Sequence, residues 1–359
     1  MASASVVDRP RRRVQNKQLS DYTELSRRVK AAGLLERRRG WYVFRCLLLI
    51  GGFVGAFMLL FGLGHTWWQL LVAALFGVLV TQAAFLSHDG AHRQVFTSGV
   101  RNEWFSRIVG NLVAGLSYGW WMRKHSKHHA NPNTIGKDED IGTGALVFDV
   151  ADVAARTGLV GWITARQGWL FFPMLTLEGL NLHASAVKTV LGRAELKHRL
   201  LEGTLVGTRI IGFPVLVLWV LGPGLGLAFM AVQLVVFGVY MGGSFAPSHK
   251  GMPMIPKDVS VDFLRRQVLT SRNVRGGRAM MWAMGGLNYQ VEHHLFPSMP
   301  SVNLHRARPL VRAYCAENDI PYTEATLLES YGIVIRFLNR VGMGHADPFD
   351  CPFTAQYRT

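Results

Sequence analysis

The sequence predicts an all-α integral membrane protein in which four transmembrane helices form two hairpins. Two observations carry this prediction. No charged residue occurs from Cys46 to His88 or from Ile210 to His249, and each run is about twice the roughly 20 residues that cross a bilayer. Each run also has turn-forming residues near its middle, FGLGHTWW at 61–68 and LGPGLG at 221–226. The predicted spans are residues 42–62, 67–87, 204–221 and 225–246.

Two very hydrophobic helical pairs buried in a soluble protein are the alternative to this topology. Long helices of soluble proteins show a polar face, whereas these runs show none. Aromatic residues also flank the first two spans, as expected at a membrane interface: Trp41, Tyr42, Trp67 and Trp68. The membrane interpretation is therefore favoured.

The charge distribution predicts the orientation. The 359-residue chain has a net charge of +16, and the excess lies outside the two apolar runs, beginning with DRPRRR and ERRRG in the first forty residues. By the positive-inside rule the N-terminus is cytoplasmic, and two hairpins return the C-terminus to the same side. No nucleic-acid recognition motif accompanies the charge, so membrane lipid headgroups or a phosphorylated substrate explain it better.

Three segments are predicted along the chain. Residues 1–40 form a basic cytoplasmic arm, residues 41–315 form the membrane domain, and residues 316–359 form a cytoplasmic extension. Two more apolar stretches, 104–121 and 159–180, contain polar residues or proline. We expect both to lie in the membrane interface as interfacial helices and not to cross.

Three histidine clusters stand out in the segments predicted to be cytoplasmic. They are HDGAH at 88–92, HSKHH at 125–129 and QVEHH at 290–294. Residues three or four apart share one helix face, so the histidines within the first two clusters point to one place. The predicted topology brings His249, which follows the fourth span, to the same membrane face. Imidazole is the commonest neutral metal ligand, so a histidine-rich cytoplasmic cap with a metal site is expected.

The number of histidines indicates which metal chemistry is present. Seven clustered histidines and His249 exceed what one tetrahedral zinc uses, whereas two iron ions need about this many. Two iron ions can take up electrons, activate dioxygen and remove hydrogen from an unactivated C–H bond, which no side chain does alone. Soluble di-iron bundles combine glutamates with two Glu-x-x-His pairs, a pattern that this sequence does not match. A membrane zinc hydrolase or a receptor-like protein with a structural metal is the alternative from another class.

The sequence resembles the membrane-bound fatty acid desaturases. The similarity covers residues 40–315 and rests on the three histidine boxes, the two hairpins and NYQVEHHLFP; HDGAH and HSKHHANPN followed by KDEDIGTG are most similar to actinobacterial members. It implies two Fe²⁺ ions with O₂ as co-substrate, in a bacterial plasma membrane with the active site on the cytoplasmic side. The implied iron ligands are His88, His92, His125, His128, His129, His249, His293 and His294.

The resemblance also implies the reaction. We expect a cis double bond to be inserted into a long-chain acyl group carried by coenzyme A or by a lipid. A hydroxylase or other monooxygenase of an alkyl, sterol or carotenoid substrate is the alternative, because both reactions begin with the same hydrogen abstraction. The chain shows neither an HPGG haem motif nor a cysteine pair, so we expect a separate electron donor, a ferredoxin or cytochrome-type carrier with an NAD(P)H reductase.

Polar residues near the boxes are expected to support the site. Gln290 stands where related enzymes have histidine, and its amide is expected to hydrogen-bond a ligand or water in preference to binding iron. Asp89 and Glu292 are expected to orient imidazoles or face solvent, with metal ligation as the alternative. The acidic residues 138–140 are expected to form a solvated loop, with a carboxylate supporting a histidine from outside as the alternative.

Overall fold

The computed structural model describes residues 21–142, 144–193 and 195–345. Over these ranges the protein is mostly helical, as predicted, and its strands are one short parallel pair. Residues 1–20 of the predicted basic arm and residues 346–359 of the predicted extension lie outside the described ranges. Residues 21–31, which we call α1, are helical.

Three helical segments in the described ranges are long and apolar enough to cross a membrane. The first two are α2 (Arg39–Gly62) and α3 (Gln69–Ala91), and they match the predicted first hairpin. The third runs from Arg199 to His249 through both predicted spans of the second hairpin. It consists of α9 (Arg199–Gly207), a π-helical turn (Thr208–Gly212) and α10 (Phe213–His249).

The third segment is broken inside α10. Gly222 has a φ of 69° and a ψ of 173°, which are not helical, and glycine adopts such a positive φ without steric cost. A Cβ added to Gly226 would lie 3.3 Å from Cα of Leu218. Residues eight apart in a continuous helix are about 12 Å apart, so the chain folds back on itself at the LGPGLG motif.

Apolar side chains join the long helices to one another. Ala56 and Leu60 of α2, Phe76 of α3, and Val217 and Phe229 of α10 belong to one buried cluster. Much of the opposite surface of α2 is exposed and apolar, including Leu47, Leu48, Ile50, Val54 and Met58. Soluble monomers rarely expose so large an apolar surface, and lipid suits it, so the protein is a membrane protein.

The middle of the chain forms short elements that connect the long helices. The stretch 104–121 contains part of α4 (Gly99–Arg107), a π-helical turn (Ile108–Val113) and the start of α5 (Tyr118–Ala130). The stretch 159–180 contributes to α6 (Gly158–Thr164), α7 (Gln167–Leu175) and α8 (Glu178–Leu191). Short 3₁₀ turns lie at Glu139–Ile141 and Val150–Asp152. None of these elements has the length of a span.

The C-terminal part of the described chain packs around the C-terminal end of α10. Its elements are α11 (Phe263–Leu269), β1 (Arg272–Arg275), α12 (Gly277–Ala283), α13 (Gln290–Leu295), α14 (Ser301–Glu317), β2 (Thr323–Thr326) and α15 (Leu327–Gly342). Strands β1 and β2 pair in parallel, with Arg272 opposite Thr323. Phe337 and Leu338 of α15 pack in one buried cluster with Phe171 of α7. Helix α15, in the predicted extension, therefore packs on the body of the protein.

Candidate metal centre

Four elements bring all eight predicted histidines together. They are the end of α3, α5, the end of α10 and α13. The histidines form two groups, and in each group one ring nitrogen of every member lies within 4.8 Å of the others. The larger group is His88, His92, His125, His129 and His293, and the smaller group is His128, His249 and His294.

The adjacent histidine pairs divide between the two groups. His128 belongs to the smaller group and His129 to the larger, and His293 and His294 divide in the same way. Successive residues of an α-helix point about 100° apart, so one HH pair supplies a ligand to each of two neighbouring places. The rings of His129 and His294 stack with their centroids 4.3 Å apart, which places the two groups side by side.

In the larger group, the ring nitrogens of four histidines form a series of close contacts. Nε2 of His125 lies 2.8 Å from Nε2 of His92 and 2.9 Å from Nε2 of His129. Nε2 of His129 lies 3.2 Å from Nε2 of His293. Both ring nitrogens of His88 are buried and make no hydrogen bond to the described residues.

The smaller group has its outward nitrogens fixed by oxygen acceptors. Nδ1 of His128 lies 2.9 Å from Oδ2 of Asp138. Nδ1 of His249 lies 3.0 Å from the carbonyl oxygen of Thr270, and Nδ1 of His294 lies 2.9 Å from Oε1 of Gln267. Because these oxygens accept, each Nδ1 carries the proton and each Nε2 carries a lone pair. Nε2 of His128 and of His249 are 3.3 Å apart. Three lone pairs therefore face one another.

This arrangement is compatible with two metal ions. Burial lowers the pKa of four imidazoles well below the ordinary value of histidine, so they are neutral at pH 7 and can donate lone pairs: His125, His129, His293 and His294. Buried nitrogens that only accept are costly without a partner. A cation bound in each group would supply that partner, and imidazole suits iron, zinc and copper.

Comparison with known proteins identifies the family. The model of the family described as "Fatty acid desaturase" matches residues 65–326. The chain belongs to the fatty acid desaturase family. As a member of this family, the protein is an oxidoreductase.

Curated relatives agree with the family assignment. The chain is 30% identical over 316 residues to Delta(5) fatty acid desaturase fat-4 of Caenorhabditis elegans, covering 84% of the chain and 69% of the relative. It is 29% identical over 341 residues to acyl-lipid (9-3)-desaturase of Physcomitrium patens, covering 92% of the chain and 64% of the relative. Delta(6)-fatty-acid desaturase fat-3 of Caenorhabditis elegans is 26% identical over 341 residues, which cover 91% of the chain and 76% of the relative. The desaturase thus spans slightly less than two thirds of the moss relative.

The acidic loop of this desaturase supports a histidine, and the prediction that all of it is solvated was wrong for Asp138. Asp138 is buried, and its Oδ2 accepts from the backbone N–H of Asn133 at 2.8 Å as well as from His128. Burial alone lowers the pKa of His128, but the carboxylates of Asp140 and Asp138 outweigh it and raise the pKa. A more basic imidazole is a stronger metal ligand.

Two other carboxyl groups of the desaturase are held by partners outside the histidine groups, although Oδ1 of Asp89 also lies 3.7 Å from Nδ1 of His88. Asp89 pairs with Arg45 at 2.9 Å, and Oε1 and Oε2 of Glu292 accept from the Tyr322 hydroxyl at 2.6 Å and the Asn273 amide at 2.8 Å. Burial raises the pKa of Glu292 to about 7. Neither residue faces solvent, contrary to one of the two expectations for them.

Gln290 lies beside the smaller group of the desaturase. Its amide nitrogen is 2.9 Å from Nε2 of His249. Two further contacts were not predicted, since Gln267 and the carbonyl of Thr270 lie outside the histidine boxes. Their role comes from tertiary packing of α11, and no motif in the sequence signals it.

Proposed function

We propose that this protein is an O₂-dependent fatty acyl desaturase that inserts a cis double bond into a long-chain acyl group at a histidine-ligated di-iron centre. The observation that carries the proposal is the convergence of eight histidines, in two groups, in a member of the desaturase family. The reaction converts –CH₂–CH₂– with O₂, two electrons and two protons into –CH=CH– and two waters. Dioxygen is the oxidant, and an external donor supplies the two electrons.

The two histidine groups are the proposed iron ligands. His88, His92, His125, His129 and His293 would hold one iron, and His128, His249 and His294 the other. The irons supply the activation of dioxygen and the removal of hydrogen from the acyl chain. Gln290 is adjacent to the smaller group, with its amide nitrogen 2.9 Å from Nε2 of His249, and an iron bound at that Nε2 would leave the amide to hydrogen-bond another ligand or water. The smaller group has fewer imidazoles, which leaves it more room for small molecules.

The chain's own residues orient the ligands and exclude water. Asp138 and the Thr270 carbonyl hold the Nδ1 protons of His128 and His249, which directs their lone pairs inward. The indole of Trp121 stacks on His125 with centroids 4.1 Å apart and an angle of 24° between the planes. The indole covers that ligand with an apolar surface, which suits an acyl chain better than water.

The proposed topology has four spans in two hairpins, with both termini and the metal centre in the cytoplasm of a bacterial cell. The reversal at Gly222 and the contact between Gly226 and Leu218 support a second hairpin. The basic segment before α2 supports the orientation. Exposed Trp162 and Trp169 of α6 and α7 support helices that lie in the membrane interface.

The proposed partners are a long-chain acyl substrate and a separate electron donor. The moss relative is named an acyl-lipid desaturase and the nematode relatives are named fatty acid desaturases, which supports an acyl chain on a lipid or on coenzyme A. The proposed donor is a ferredoxin or cytochrome-type carrier with an NAD(P)H reductase.

The test is the fatty acid profile of a host membrane. The protein is expressed with a ferredoxin and reductase pair, and the products are separated by gas chromatography and mass spectrometry after a derivatisation that locates double bonds. A new unsaturated acid is expected with the wild type and with His305→Ala, whose ring is outside both groups, and not with His128→Ala. Hydroxy acids would favour the hydroxylase, and one zinc without iron would contradict the proposal.

A further inference from the structure

Helix α11 and Thr270, which follows it, lie outside the histidine boxes but contact three of the proposed ligands. Residue Gln267 of α11 is completely buried. We infer that Gln267 is a positioning residue of the metal centre, which sets the ring of His294 and the backbone of His129 for metal binding. This inference rests on the proposed function, because it concerns the same two histidine groups.

The side-chain oxygen of Gln267 selects the tautomer of His294. Oε1 lies 2.9 Å from Nδ1 of His294, and an amide oxygen only accepts. The proton is therefore on Nδ1, and Nε2 carries the lone pair that a metal needs. That Nε2 is buried and makes no hydrogen bond within the described ranges, so its lone pair is directed into the smaller group without a protein partner.

The side-chain nitrogen of Gln267 fixes the end of the helix that carries the second box. Nε2 donates to the carbonyl of His129 at 2.9 Å. This carbonyl lies in the last turn of α5, which ends at Ala130, where helix carbonyls have no partner within the helix. The same amide therefore satisfies a helix end and ties it to His294, so one side chain links a ligand of each group.

The neighbours of Gln267 add two related contacts. Nη1 of Arg266 donates to the carbonyl of Ala130 at 2.6 Å, and the carbonyl of Thr270 accepts from Nδ1 of His249 at 3.0 Å. Residues 266–270 thus contact α5, α10 and α13, the three elements that supply six of the eight histidines. The position of α11 sets how these elements meet.

A role in packing alone predicts a different behaviour from a role in positioning. Methionine is unbranched and close to glutamine in size, so Gln267→Met keeps the volume while both hydrogen bonds are lost. Gln267→Glu keeps an oxygen that accepts from Nδ1 of His294 but loses the donor to the His129 carbonyl, so it isolates the contact with His294. If Gln267 acts only by filling space, the methionine variant should keep the wild-type metal affinity. If Gln267 acts by selecting the tautomer of His294, the glutamate variant should bind metal more tightly than the methionine variant.

The matched control is another buried glutamine. Gln167 is also buried, and its amide bonds only to the backbone of Val147 and Leu338. The Gln167→Met substitution removes equivalent hydrogen bonds at a place that contacts neither histidine group. It measures the loss of folding stability that comes from removing a buried glutamine.

The experiment measures metal affinity of the full-length protein in detergent. Metal-free protein is titrated with Fe²⁺ without oxygen, and separately with Zn²⁺, against a chelator of known affinity, and the thermal unfolding midpoint of the metal-free protein is recorded. Gln267→Met should weaken metal binding about 10–100-fold, mainly at one of two sites. Gln267→Glu should recover most of the affinity, whereas Gln167→Met should lower the midpoint without changing affinity.

Two results would overturn the inference. One is wild-type metal affinity in Gln267→Met, and the other is equal loss in Gln267→Met and Gln267→Glu. A wild type that binds two zinc ions and no iron would count against the iron in the proposed function, while the zinc titration of the variants still decides the role of Gln267. The two proposals therefore fail separately.

Discussion

The guanidinium of Arg45 lies against the carboxylate of Asp89, with Nη1 2.9 Å from Oδ2, and both side chains are buried. Asp89 directly follows His88, and its Oδ2 also accepts from the Ser301 hydroxyl at 2.8 Å. The ion pair therefore connects the N-terminal half of α2 with the first histidine box and with the start of α14.

Breaking this ion pair should destabilise the protein strongly. Asp89→Asn removes the charge that compensates the buried Arg45, which costs about 3–5 kcal/mol. Arg45→Met leaves a buried carboxylate and should cost as much. The double variant, Arg45→Met with Asp89→Asn, removes both charges and should lose clearly less than the sum of the single losses. Thermal unfolding in detergent measures this, and additive losses would show that the two charges do not interact.

Glu202 should stabilise the helix that carries the second histidine box. It is buried, and its carboxylate accepts from Arg107, from the Ser117 hydroxyl at 2.7 Å and from the backbone N–H of Gly119 at 3.2 Å. Two of these donors are at the N-terminus of α5. Glu202→Leu removes a helix cap and leaves Arg107 buried without this partner, so it should cost about 3–5 kcal/mol.

The control for Glu202 is Glu103, which also pairs with Arg107 at 2.9 Å but has a side chain that is 27% exposed. Glu103→Gln should cost no more than about 1 kcal/mol. Unfolding midpoints of the two variants are compared in one detergent. A similar loss in both would show that the buried position and the cap on α5 do not matter.

Gly238 permits a close crossing of α8 and α10. A Cβ at this position would lie 2.5 Å from both the backbone N of Gly179 and the carbonyl oxygen of Leu175. Gly238→Ala therefore forces the helices apart and should cost about 1–3 kcal/mol. Gly51→Ala is the control, because a Cβ there has no described atom within 4 Å. It should be neutral or slightly stabilising, and equal midpoints for the two variants would contradict the crossing argument.

The convergence of the histidines could be predicted from the sequence because most of them lie in local motifs. Helical spacing predicted that His88 and His92 lie on one helix face. The charge-free run that ends at His249 predicted that the end of α10 lies near these histidines. The division of each HH pair between two groups also follows from helix geometry, although it was not predicted. The spacing within each box depends on residues at most four positions apart, and the charge-free run is visible in the composition of residues 210–249 alone.

The supporting contacts were not predictable because they join distant parts of the chain. Gln267 meets His129 across 138 positions, and Arg45 meets Asp89 across 44. Asp138 lies only ten positions from His128, but its burial depends on the packing of Asn133 against the end of α10. Hydrophobic periodicity carries no signal for such pairs, since it reports which face is apolar and not which partner covers it.

Metal binding should stabilise the folded protein, and removing the metal should show that two groups of histidines hold it. A ligand that binds only the folded state adds about 2.7 kcal/mol at a free concentration 100-fold above its dissociation constant. Chelation should therefore lower the unfolding midpoint of the wild type.

His294→Ala removes one of three imidazoles in the smaller group, so it should lose part of this stabilisation and about half of the bound metal. His305→Ala should keep both, since its Nδ1 bonds only the Val302 carbonyl. Equal metal content in both variants would contradict the assignment.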